Sequence, residues 1–185
     1  MMAYQGDTFS IIANNTIPRL ERFLPSSGIG NELRHWDRRF KADSRPSALW
    51  LRFWDEFTNT VGLRLLGEEA YARLAPVVFY KYTFYRLALL GLDTGHLDGH
   101  DISDITEESI ARVIEQYNGE VYGDYRKVSS KNMFFGGKLP SFFGLDIEPI
   151  PTDGGFEVVK VMSQDKYLGE TCFFTQVWLL VIHFS

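Results

Sequence analysis

The sequence predicts an α+β fold: a helical N-terminal portion of about five helices, then one amphipathic helix and a small C-terminal β-sheet. Three observations lead there. Apolar residues recur at helical spacing over most of the first two thirds of the chain. From Gly123 onward, Gly and Pro punctuate short apolar runs. The closing run, Cys172–Phe184, is apolar on both pleat faces, as a strand covered on both sides would be. No repeat, low-complexity tract or Ser/Gly linker separates these parts. The expectation is one globular domain over residues 1–185, helical to about 122 and strand-rich from about 123.

Taken in order, Thr16 followed by Pro18 reads as a helix start, and Pro25-Ser26-Ser27-Gly28 ends that short helix. Asn31 is placed to cap a second helix through about Lys41, with Leu33, Trp36 and Phe40 on one side. Pro46 and Ser47 open a third, in which Trp50, Phe53, Trp54, Phe57 and Val61 repeat at the same period, and Gly62 is its expected stop. Gly67-Glu68-Glu69 starts a further short helix, its acids suiting the N-terminal dipole, which breaks near Pro76. Val77–Leu90 begins with β-prone residues but exceeds a usual strand. It ends Leu87-Ala88-Leu89-Leu90-Gly91, so it reads as a largely buried helix.

Asp104-Ile105-Thr106-Glu107 has capping-box spacing. Behind it lies the clearest amphipathic pattern in the chain, Ile110, Val113, Ile114, Tyr117 and Val121. Leu145–Glu148 alternates as a half-buried strand. Asp153-Gly154-Gly155 is a turn leading into a strand over Phe156–Met162.

Composition narrows the class. Hydrophobic content of 45% with 23% charge is that of a globular protein, and the 15% aromatic content predicts a ring-rich core or interface. One cysteine, Cys172, excludes an intrachain disulfide, and its apolar neighbours suit a buried, inert thiol. No basic-then-apolar leader is visible. The apolar stretches are either interrupted by Lys81 and Arg86 or shorter than the ~20 residues of a spanning helix. A cytoplasmic protein, or one held within a macromolecular assembly, is therefore expected. Net charge is -5, divided unevenly: residues 1–90 carry 12 basic and 9 acidic side chains, residues 91–185 carry 7 and 15. Attraction between the two halves within one fold accounts for the asymmetry.

Two clusters qualify as candidate sites. His96, Asp98, His100 and Asp101 form the densest polar group, with atoms suited to a divalent metal. Their spacing matches no established site. A calcium-loop register would place Ile105 where a bidentate Glu belongs, so no metal is expected and turn formation is the plainer role. Arg34, Trp36, Arg38 and Arg39 combine positive charge with a ring, as an anion or partner contact requires. A sequence pI near 5.4 argues against nucleic acid. The Gly pairs at 136–137 and 154–155 lack phosphate-loop spacing, and no nucleophile-elbow or zinc-protease motif is present.

With no catalytic signature and many rings, the leading expectation is a non-enzymatic protein-interaction or assembly component. A viral structural protein or an immunity protein would be an example, working with a protein partner or as a homo-oligomer and needing no cofactor. The alternative is a small-molecule-binding α+β protein or enzyme with an aromatic-lined pocket, its polar groups drawn from Asp98, His100 or His183.

Overall fold

The computed structural model describes residues 7–75, 78–130, 143, 147–155, 158, 160, 163–164 and 172–174. The fold is α+β, with helices first and short antiparallel strand pairs last. Its elements are α1 (Ile11–Leu20), α2 (Ile29–His35), α3 (Arg45–Leu74), α4 (Val78–Thr94), β1 (His96–Leu97), β2 (His100–Asp101), α5 (Ile102–Gln116), α6 (Tyr122–Tyr125), β3 (Lys127–Ser130), β4 (Ile147–Pro151), β5 (Ser163–Gln164) and β6 (Cys172–Phe174). β1 pairs with β2, β3 with β4 and β5 with β6. Two compact units arise, each from separate stretches of chain. One comprises Met1–Ile11, Asp37–Ala48 and Glu120–Ser185, and the other Ile12–Trp36 and Leu49–Gly119.

The second unit is helical, and α3 carries its core. Trp50, Phe53, Trp54 and Phe57 follow the i, i+3, i+4, i+7 rule and are all buried. Trp50 stacks on Trp54 with centroids 5.3 Å apart, and Phe53 stacks on Phe57 at 5.5 Å. Trp36 lies 6.4 Å from Trp50, and Tyr85 meets Trp54 edge-on at 5.6 Å. Each fully buried ring of this size contributes about 2–3 kcal/mol.

Several helix boundaries differ from expectation. α1 starts at Ile11 and contains Pro18, because Ala13, Thr16 and Ile17 already form a buried stripe upstream of the proline, which Leu20 continues beyond it. α2 stops at His35, since the chain at Trp36 is extended and Arg38 has φ 63°. α3 continues through Gly62, where the absent side chain admits the Tyr71 ring: a Cβ there would lie 2.7 Å from Tyr71 Cδ2. The helical path breaks instead at Gly67 (φ 74°, ψ 165°) and resumes to Leu74. α4 runs past Gly91 to Thr94 and is amphipathic where its side chains are described. Phe84 and Ala88 are buried, while Thr83, Arg86 and Leu90 are exposed.

α5 is capped three residues earlier than its sequence suggests, by Asp101, whose side chain accepts from Ser103 N. Its apolar stripe begins correspondingly early, at Ile102 and Ile105, and leaves Ile114 exposed. Ion pairs across this unit join the basic first half of the sequence to the acidic second: Arg19 with Asp93, and Arg64 with Glu108 at 2.7 Å.

In the first unit, β3 and β4 pair with an irregularity between Val128 and Ser130. β4 begins at Ile147, within the expected strand, whose residues 145–146 lie outside the described ones. Of the strand expected over Phe156–Met162, Val158 and Lys160 are described, and both are bends. Lys160 N donates to Asp7 O and its carbonyl accepts from Gly155 N, so its backbone is held by loops. The expected terminal strand is present at Cys172–Phe174, paired with β5. Its remainder, with the question of what covers it, lies outside the described residues.

Candidate functional site

The polar loop folds as a hairpin. His96 faces Asp101 and Leu97 faces His100 across the β1–β2 pair, while Asp98 (φ 47°) and Gly99 (φ 80°) make the two-residue turn that Asp-Gly favours. Leu97 is the buried anchor. His96, Asp98 and Asp101 are exposed and His100 is half-buried. Asp101 is held below the usual carboxylate range chiefly by its hydrogen bond from the Ser103 backbone. Among the described residues no three His, Cys, Asp or Glu side chains gather as metal ligands would. The arrangement starts α5 and fixes the connection from α4.

The basic stretch is divided between the units. Arg34 donates to three carbonyls, Pro25 O and Leu24 O at 2.7 Å and Glu21 O at 3.3 Å, and so closes the turn after α1. Trp36 is buried against Trp50. Arg38 and Arg39 belong to the other unit. Burial pushes the Arg38 guanidinium down from its ordinary value. Arg39 pairs with Asp7 at 2.7 Å and lies over the Phe9 ring.

The tightest polar constellation was not singled out from the sequence. In the first unit, Phe40 N bonds Thr8 O, and Ser10 N bonds Arg38 O. The same stretch binds the turn after β4: Gly154 N donates to Phe40 O at 3.0 Å, and Ala42 N donates to Asp153 Oδ1 at 2.7 Å. Gly123 N donates to Ala42 O at 2.7 Å, and the buried Tyr122 hydroxyl donates to Gly154 O at 2.5 Å. Asp7 is held below the usual carboxylate range, first by the Phe9 backbone N–H and then by the Arg39 guanidinium. Four stretches of chain, 7–10, 38–42, 122–123 and 153–154, are thereby fixed through named donors and acceptors. The sequence signal was the pairing of Asp153 with two glycines, which specifies a turn but not the segment it grips.

The second unit offers a polar edge to its aromatic core. Tyr71 OH donates to Asn59 Oδ1 at 2.5 Å, and Tyr85 OH to Asp55 Oδ1 at 3.4 Å. Trp54 Nε1 is a buried donor with no partner among the described residues. Arg112 bridges Glu56, at 2.7 Å, and Glu108, and its hydrogen bond to Glu56 raises its pKa.

No curated protein sequence matches the chain. The family model described as penicillin amidase matches residues 1–185. That match overturns the expectation of a non-enzymatic interaction, structural or assembly protein, because the family is one of enzymes. The structure supplies a physical reason: the aromatic content that pointed to an interface is drawn into the core, where Trp36, Trp50, Trp54, Phe53 and Phe57 are buried. The enzyme alternative is the reading that survives. The family pattern is spread over the whole chain, with no local catalytic motif to announce it. This chain belongs to the penicillin amidase family.

Proposed function

We propose that this chain serves an enzyme that hydrolyses amide bonds, with penicillins or related small amides as the substrate class. The observation that carries this reading is the family match across residues 1–185. In the reaction, water adds across the C–N bond: the acyl carbon gains the hydroxyl, the nitrogen gains a proton, and an acid and an amine leave. The chain's described residues contribute rigidity. Amide hydrolysis requires reacting groups placed to within a fraction of an ångström. The aromatic core along α3 and the ties from Asp153 and Tyr122 hold each unit's backbone in one geometry.

The test is hydrolysis itself. Protein carrying this chain is incubated with a penicillin and with a panel of N-acyl anilides, and free amine is followed with an amine-reactive fluorophore. Amine should appear in proportion to protein and cease after heat denaturation. Release no faster than in buffer for every member of the panel would defeat the proposal.

A further inference from the structure

We propose that residues 68–75 form a flap that swings about Gly67 and is latched shut by Tyr71, opening while the rest of its unit stays folded. The hinge is visible in the backbone. Gly67 has φ 74° and ψ 165° inside an otherwise helical segment, a conformation that L side chains rarely adopt, and a Cβ there would meet nothing within 4 Å. The space beside Gly67 is open, so its non-helical backbone is not imposed by a close neighbour at that position.

Beyond the hinge, Tyr71, Leu74 and Ala75 are half-buried, while Glu68, Glu69, Ala70, Ala72 and Arg73 are exposed. The Arg73–Glu69 ion pair lies within the flap itself. Ala75 N bonds Tyr71 O, which keeps the flap helical as a piece. Tyr71 supplies the tie back to the unit. Its ring fills the space above Gly62, lies 5.5 Å from the Phe84 ring, and its hydroxyl donates to Asn59 Oδ1. Gly62 is the socket for this knob: any side chain there would collide with the ring. The core of α3, by contrast, is anchored by several buried rings. A segment whose side chains are all exposed or half-buried, lying beyond a non-helical glycine, opens at lower free energy than the buried core it rests on. Opening uncovers the Asn59 amide, the Gly62 backbone and a face of Phe84.

Hydrogen exchange by mass spectrometry, with tryptic cleavage after Arg73 as a second readout, tests the latch. In the unaltered protein, amides of 68–75 should exchange faster than those of 49–61. Tyr71→Phe keeps the ring and removes one neutral hydrogen bond, so exchange in the flap should rise roughly fivefold. Tyr71→Ala removes the knob, and Gly62→Ala blocks the socket. Each should raise flap exchange by roughly fiftyfold or more and speed cleavage at Arg73, with residues 49–61 unchanged. Tyr71→Ala is half-exposed and keeps the fold even if Gly62→Ala does not. Flap exchange unmoved by Tyr71→Ala, or exchange rising equally through 49–61, would overturn the proposal.

Discussion

The hydroxyl of Tyr122, on α6, donates to the carbonyl of Gly154 across 32 positions of sequence, at 2.5 Å and out of solvent. The Tyr122 ring also packs against Phe40, tilted by 43° with centroids 5.0 Å apart, and Gly155 lies close to both: a Cβ at Gly155 would lie 3.1 Å from the Tyr122 oxygen and 3.5 Å from Phe40. Removing the hydroxyl leaves a buried carbonyl without that donor. Tyr122→Phe should therefore destabilise the protein by about 1–3 kcal/mol, seen as a lower urea midpoint at unchanged slope.

Gly123 tests the same region by excess rather than loss. A Cβ there would sit 2.8 Å from Pro151 Cβ and 2.9 Å from Ala42 O, and the latter is backbone. Gly123→Ala should cost about 1–3 kcal/mol in urea unfolding, because neither neighbour is a flexible side-chain tip. An unchanged midpoint would mean that the loop and β4 part more easily than this packing implies.

Two threonines on α3 should respond in opposite directions. Thr58 Oγ1 donates to Trp54 O at 2.8 Å, whereas the buried Thr60 Oγ1 has no partner among the described residues. Valine has the shape of threonine without the hydroxyl. Thr58→Val should cost about 1 kcal/mol, and Thr60→Val should be neutral or stabilising by about 1 kcal/mol. Thermal midpoints of the two variants, measured side by side, decide the matter.

Acid should loosen the Asp7 contacts. The folded pKa of Asp7 lies below its unfolded value, through the Phe9 N–H and Arg39. Its contribution is therefore present above the unfolded pKa and is lost as pH falls through the folded one. Between about pH 6 and pH 2, the unaltered protein should lose more stability than Asp7→Asn, with the divergence beginning near pH 4. Parallel curves would show that Asp7 adds nothing to folding.

The helical half was readable because its signals are local. The Trp50–Phe57 stripe lies within two turns of one helix, and an amphipathic period needs no knowledge of distant residues. The misplaced boundaries share a cause. Gly62 looks like a stop until Tyr71 is known to pack on it, and the Trp36–Phe40 stretch looks helical until Thr8 and Ser10 are known to pair with its end. The candidate clusters illustrate the same limit. Density of charge drew attention to His96–Asp101 and Arg34–Arg39, but not to Asp7, the partner of Arg39, nor to Asp153 and Tyr122, whose partners are distant in sequence. The enzyme family left no compact motif, and composition pointed toward an interface that the core had already absorbed.

The interleaving of the two units sets an order for synthesis on the ribosome. Every stretch of the helical unit has been made by Gly119. The other unit begins ahead of it in the chain, yet Phe40 O and Ala42 N wait for Gly154 and Asp153, more than a hundred residues later. During that interval the helical unit can close while the 7–10 and 38–42 segments offer backbone donors and acceptors to any extended chain nearby. Nascent chains halted between residues 119 and 152 are thus the species most exposed to mispairing. A trigger that slows translation in that window should lower the yield of folded protein more than an equal pause elsewhere.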